Sequence, residues 1–192
     1  MGGSEHEELL VFASELGWMS LRMQDEAVVE LTFGHHSAAA AIQAIDPGKV
    51  ARQELSHWQS EVVERLRRYA EGLPVDFRDL SVDFGVTTEF QTSVLKACRE
   101  IPYGQTTTYG ELAVAACSPG AARAVGNCMA NNRVPLIIPC HRVVRTGGDI
   151  GPYSAAGGST TKRRLLKMEA TSSGILPFYY LVSVADRVKG RT

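Results

Sequence analysis

Thr108 to Ala116 and Ala121 to Asn131 both carry helical spacing, and only Cys117-Ser118-Pro119-Gly120 separates them. A connection that short, with a proline and a glycine in it, stops the first helix and turns the second sharply away from it. The pairing fits a helix-turn-helix, whose second helix docks on DNA. Helix pairs of this kind also occur in purely structural cores, so the pattern leaves both uses open. A further helix precedes the pair. Thr88 stands at its start, Phe90, Val94, Leu95 and Cys98 supply an apolar stripe, and Pro102-Tyr103-Gly104 ends it.

The chain before this helical region has a different character. Leu9 to Ser14, Trp18 to Met23 and Ala27 to Phe33 are short apolar or alternating runs separated by Gly17 and by Gln24-Asp25, the pattern of an antiparallel meander. Ser37 to Ile45 and Ala51 to Ala70 read as helices, the second with Leu55, Trp58, Val62, Leu66 and Tyr69 on one stripe. Gly72 to Gly85 has no sustained period and reads as a connector. The expected fold class is therefore α+β: a small scaffold domain over residues 1–84, then a mostly helical domain over 85–192.

Charge divides in the same place. The whole chain of 192 residues has a formal net charge of −1, but residues 1 to 85 hold fifteen acidic and seven basic side chains, whereas 86 to 192 hold six acidic and thirteen basic. Such asymmetry points to an anionic ligand on the basic part, with solvated helix faces as the plain alternative. Glu5, Glu7, Glu8 and Glu15 occupy a start that lacks Lys and Arg, unlike an export signal. The longest apolar stretch, Ile175 to Val184, falls short of the roughly 18 residues needed to cross a bilayer. A soluble, cytoplasmic protein is expected, without a membrane partner. Cys98, Cys117, Cys128 and Cys140 form no CxxC pair, and His35 and His36 have no ligand spacing around them. Free thiols and no metal follow.

The chemistry converges on Cys140. A cysteine attacks only as thiolate, so it needs a base or a positive field beside it. His141 is adjacent, Arg142 follows, and Pro139 fixes the chain direction just before. Val134 to Ile138, ahead of it, reads as a buried strand. A Gly/Ser/Ala-rich loop from Thr146 to Thr161 holds Tyr153, and Thr161 to Met168 restarts a helix that ends at Glu169.

The string Ile137-Ile138-Pro139-Cys140-His141-Arg142-Val143-Val144 resembles the active-site signature of the O6-alkylguanine-DNA alkyltransferases. Phe90-Gln91, Ile101-Pro102-Tyr103-Gly104, Thr107, Tyr109, Ala122-Arg123-Ala124-Val125-Gly126, Tyr153-Ser154, Lys162, Leu165-Leu166 and Glu169 follow the same family in order. The likeness is strong over about residues 84 to 170. It implies a ribonuclease-H-like first domain, a helix-turn-helix in the second, and irreversible transfer of an alkyl group from O6-alkylguanine, secondarily O4-alkylthymine, to Cys140. His141 would be the base through a water, polarised by Glu169, and Asn132 would brace the turn. Tyr109 would donate to the guanine ring. The Ser154 N–H would bond O6, the Cys140 and Val143 carbonyls would receive the exocyclic amine, and Met129, Pro135 and Tyr153 would wall the pocket.

The same resemblance implies double-stranded DNA as partner, bound from the minor groove by a monomer with the target base flipped out, and no cofactor. Arg123 would fill the gap in the stack. Ala122, Ala124 and Gly126 would permit close approach, with Thr107 a further DNA contact. Arg133, Arg145, Lys162, Arg163 and Arg164 are phosphate-contact candidates. Departures from the family pattern are Leu95 for a common tryptophan, Arg133 for a usual proline, Ala155 for a glycine, and a longer loop before Lys162. The alternative from another class is a lesion-binding sensor without transfer, which the presence of Cys140 disfavours.

Overall fold

The structure, a computed structural model, describes residues 7–48 and 54–174. They fall into two compact units, one of residues 7–48 and 54–86 together with 133–135 and one of 87–132 together with 136–174. The recruitment of 133–135 to the first unit is a feature that a single division near residue 84 does not contain.

In the first unit β1 (Glu7–Phe12), β2 (Trp18–Gln24) and β3 (Ala27–His35) form an antiparallel sheet in the order β1-β2-β3. Asp25 and Glu26 make the hairpin turn between β2 and β3, both with positive φ, as a two-residue turn of the primed type requires. Leu9, Leu10, Met19, Leu21, Met23, Val28 and Leu31 are buried and supply the core. Helix α1 (Ala38–Ile45) starts where the Ser37 hydroxyl accepts the Ala40 N–H.

Helix α2 (His57–Ala70) begins later than the expected Ala51. Ser56 and Gln59 form a reciprocal capping box there, and Glu54 to Ser56 are not helical. Leu55 thus stands outside the stripe and is exposed, while Val62, Leu66 and Tyr69 are buried. Residues 51–53 lie outside the described residues, as does the expected strand from Ile175 to Val184.

The second unit opens with α3 (Glu89–Arg99), capped reciprocally by Thr88 and Gln91. Strand β4 (Thr107–Thr108) leads directly into α4 (Tyr109–Ala115), because Thr108 closes a capping box with Glu111. After the turn through Cys117, at φ +55, and Gly120, α5 (Ala122–Ala130) packs against α4 and α3. The run 134–138 is not a strand. Pro135 lacks a donor and Leu136 sits at φ +72, which breaks an extended ladder. The run is nevertheless fully buried, so this turn has the apolar composition of a buried strand.

Cys140–Arg142 form one 3₁₀ turn, and only then does the short strand β5 (Val143–Val144) pair in parallel with β4. Helix α6 (Gly158–Ser173) is longer than expected at both ends, and Glu169 lies inside it rather than at its end. Left-handed Gly157 and Gly174 bound it.

Candidate active site

The 3₁₀ turn puts Cys140, His141 and Arg142 side by side, and all three are buried. Cys140 opens onto a cavity of about 160 Å³ in the second unit, walled by Tyr109 of α4, Gly126, Met129 and Ala130 of α5, and Pro152, Tyr153 and Ser154 of the loop before α6. This is below the roughly 300–1,000 Å³ of pockets for drug-sized ligands, and it suits a small planar group. Pro135, expected in the wall, does not line it.

The sulfur is held by polar groups. Asn132 Nδ2 donates to Cys140 Sγ at 3.0 Å and to the Ile138 carbonyl at 2.8 Å. Burial pushes the thiol pKa up, against the Asn132 amide, the Lys162 cation and the Tyr153 hydroxyl, which pull it down. The resting thiol is therefore protonated and needs a base.

His141 Nε2 lies 2.8 Å from Glu169 Oε1, with the imidazole fully buried. Burial lowers the His141 pKa against the attraction of Glu169, so the neutral ring is favoured. Burial alone would raise the Glu169 carboxyl, yet contacts with His141 and Arg142 outweigh it and hold it far below the usual carboxylate range. A neutral His141 gives less of that help, but Arg142, always charged, suffices to keep Glu169 ionised. An ionised Glu169 accepts the Nε2 proton, and Nδ1 is left with the lone pair.

Glu169 also gathers donors from Arg142 and Gly104. Arg142 Nε and Nη2 approach its oxygens at 3.0 to 3.2 Å, and the Gly104 N–H donates to Oε2 at 3.0 Å. Arg142 Nη1 reaches the Ile101 carbonyl at 2.6 Å. Gly104 has φ +77, and a Cβ there would meet Ser173 Oγ at 2.5 Å, so this N–H can be presented to the carboxylate only by glycine.

Lys162, counted from the sequence among the phosphate contacts, is instead completely buried. Its Nζ donates to the Val143 carbonyl at 2.6 Å and lies 3.5 Å from the Pro152 carbonyl and 5.7 Å from the centre of the Tyr109 ring. Burial lowers its pKa to about 8. The Val143 carbonyl, expected to receive a base amine, already accepts this ammonium. The signal was present in the sequence: Lys162, Leu165, Leu166 and Glu169 recur at helical spacing and share the buried face of α6.

Among the described residues no cluster of His, Cys, Asp and Glu could hold a metal ion. Outside the cavity, Arg123 and Ala124 are exposed at the start of α5, with Ala122 half-buried on the same helix and Thr107 half-buried on β4, whereas Gly126, also half-buried, belongs to the cavity wall. Arg133 faces a carboxylate: its Nη2 is 3.0 Å from Glu30 Oε2.

A family model described as the DNA binding domain of 6-O-methylguanine DNA methyltransferase matches residues 89–171. The chain is 36% identical over 155 residues to the methylated-DNA–protein-cysteine methyltransferase of Mycobacterium bovis, across 77% of this chain and 90% of that protein. It belongs to the methylated-DNA–protein-cysteine methyltransferase family. A relative with that name in Methanothermobacter thermautotrophicus is 45% identical over 113 residues, 58% of this chain and 61% of that protein. The fold of this family member is also similar to the solved structure of Mycobacterium tuberculosis O6-methylguanine methyltransferase, with TM-score 0.68 and 32% identity over 86% of this chain and 94% of the other. A structure of the M. tuberculosis protein in complex with DNA gives TM-score 0.66 and 29% identity, covering 91% and 98%. Methyltransferase activity on DNA is thus the property of the family to which Cys140 and its surroundings belong.

Proposed function

We propose that this protein reverses O6-alkylguanine, and secondarily O4-alkylthymine, in double-stranded DNA by moving the alkyl group to Cys140. The observation that carries the reading is the polar-held Cys140 sulfur at the wall of a base-sized cavity. His141 Nδ1, through a water, takes the thiol proton while Glu169 steadies the imidazolium that results. The thiolate then attacks the alkyl carbon. An S–C bond forms, the C–O6 bond breaks, and its electron pair leaves on the guanine, which is neutralised by a proton. Tyr109, whose pKa burial raises, stays a phenol and is suited to donate to the ring as negative charge develops. The Ser154 N–H is the donor for O6, and Met129 and Tyr153 wall the pocket that takes the base. The Cys140 carbonyl receives the exocyclic amine, with that of Val143 shared with Lys162.

A thioether is not hydrolysed in water, so one molecule repairs one lesion, without cofactor. A stacked base cannot reach a buried sulfur, so the nucleotide rotates out at a cost of a few kcal/mol. In this reading residues 85–192 are the working domain, with α4 and α5 as a helix-turn-helix in the minor groove. Arg123, exposed near the start of α5, fills the vacated stack, and Ala122, Ala124, Gly126 and Thr107 lie against the DNA. Residues 1–84 form a ribonuclease-H-like scaffold, and the protein acts as a monomer in the cytoplasm. None of the described helices is long and apolar enough to cross a membrane.

Intact-mass analysis after incubation with an O6-methylguanine duplex tests the reading. One added methyl, located on Cys140 and absent in Cys140→Ser, is expected. Tight binding with no mass change would replace transfer by lesion sensing.

A further inference from the structure

Arg133 stands in the short segment 133–135 that packs with the first unit, while the residues on either side belong to the second. Two bonds tie it down. Its carbonyl accepts the Leu31 N–H of β3 at 2.9 Å, and its guanidinium Nη2 lies 3.0 Å from Glu30 Oε2. The same Glu30 oxygen is 2.5 Å from Arg22 Nη2, and Arg22 Nη1 is 3.0 Å from Glu7. The result is a row of alternating charge whose inner members, Arg22 and Glu30, are only 19% and 24% exposed. A network of this kind holds its geometry better than an isolated surface pair.

One peptide bond before Arg133 is Asn132, whose amide donates to the Ile138 carbonyl and to Cys140 Sγ. Three residues after Arg133, Leu136 occupies a left-handed conformation that a leucine adopts only when its surroundings impose it. The stretch from Asn132 to Leu136 is thus short, turned and anchored. We propose that Arg133, gripped by Glu30, is a positioning residue that holds the Asn132 amide on the Cys140 sulfur. It is not a phosphate contact. A guanidinium already opposite a shielded carboxylate has its charge answered inside the protein, and moving it to a phosphate would leave Glu30 with one cation fewer. The consequence for chemistry runs through order: an amide fixed in place stabilises the thiolate without first having to be immobilised.

The inference rests on Cys140 as the acceptor, and its test reads the thiol separately from the transfer. In the full-length chain, Arg133→Met, Glu30→Gln, the double variant and Arg133→Lys are compared by two measurements. The first is the pH profile of iodoacetamide alkylation at Cys140, read by peptide mass so that exposed Cys117 does not contribute. The groups that interact with the thiol, Lys162, Tyr153, Tyr109 and Cys98, are the same in all variants. The second is methyl transfer from free O6-methylguanine base and from a duplex. Arg133→Met and Glu30→Gln should each raise the alkylation midpoint by about half a pH unit and slow both transfers about threefold. The double variant should be no worse than either single one, and Arg133→Lys should recover most of the loss. Unchanged midpoints in both single variants overturn the proposal. So does a loss confined to duplex in Arg133→Met with Glu30→Gln unaffected, the signature of a phosphate contact. If the unaltered protein gains no methyl, the transfer reading fails on its own, while the alkylation profiles still decide whether Arg133 positions Asn132.

Discussion

Glu169 is the residue on which most of the buried polar chemistry depends, since His141, Arg142 and the Gly104 N–H all end on its two oxygens. Replacing one partner of such a buried set strands the others, and Glu169→Gln is expected to cost about 3 kcal/mol in chemical denaturation at neutral pH. The pH dependence has a definite sign. A carboxyl whose folded pKa lies below its ordinary value of 4.5 contributes stability that is present above that value and is lost as the pH falls beneath it. The unaltered protein should therefore lose stability steeply below about pH 4.5, and Glu169→Gln should show a flatter acid limb in denaturation midpoints measured at stepped pH. A limb of equal slope in both would place the acid sensitivity elsewhere. Cys140, His141 and Glu169 were legible in the sequence through the signature and the spacing to α6. Arg142 and Gly104 were legible as positions but not as partners of Glu169, because a contact across 65 residues between a loop and a helix has no local trace.

At the scale of elements, strong local signals survived and apolar composition alone did not. The meander, α3 and the pair α4 and α5 were readable because period and breakers agreed with one another, joined at α3 and α4 by the capping residues Thr88 and Thr108. The run 134–138 failed because burial on all sides makes a turn as apolar as a strand, and Leu136 carries no mark of its positive φ. Leu55 sits at the spacing of the α2 stripe, yet the cap is Ser56 and the helix starts only after it. That cap can be tested directly. Ser56→Ala removes the acceptor for the Gln59 N–H and should lower stability by about 1 kcal/mol in urea denaturation. The adjoining Glu8–Gln59 hydrogen bond depends on the same turn, so a fall well beyond that figure would mean that the cap also orders the contact between α2 and β1.

For the whole molecule, the near-neutral net charge conceals thirteen basic against six acidic residues after residue 85. Their uses differ once the structure is considered. Lys162 and Arg142 are buried and serve the site, and Arg145 pairs with Asp149 at 2.7 Å. Arg123, Arg163 and Arg164 are exposed. A cation whose work is to hold an opened duplex should matter only when there is a duplex to open. Arg123→Ala is expected to slow methyl transfer from duplex DNA by about tenfold or more, an effect of roughly 1.4 kcal/mol, while leaving transfer from the free base close to that of the unaltered protein. Arg163→Ala and Arg164→Ala, if they meet phosphates, should instead weaken duplex binding across sequences and each reduce the salt dependence of affinity by about one counterion. The measurement is single-turnover transfer at several salt concentrations with both substrates. Equal slowing of base and duplex by Arg123→Ala would assign that side chain to the cavity or to stability, and the filling of the stack would then have to come from another residue of α5.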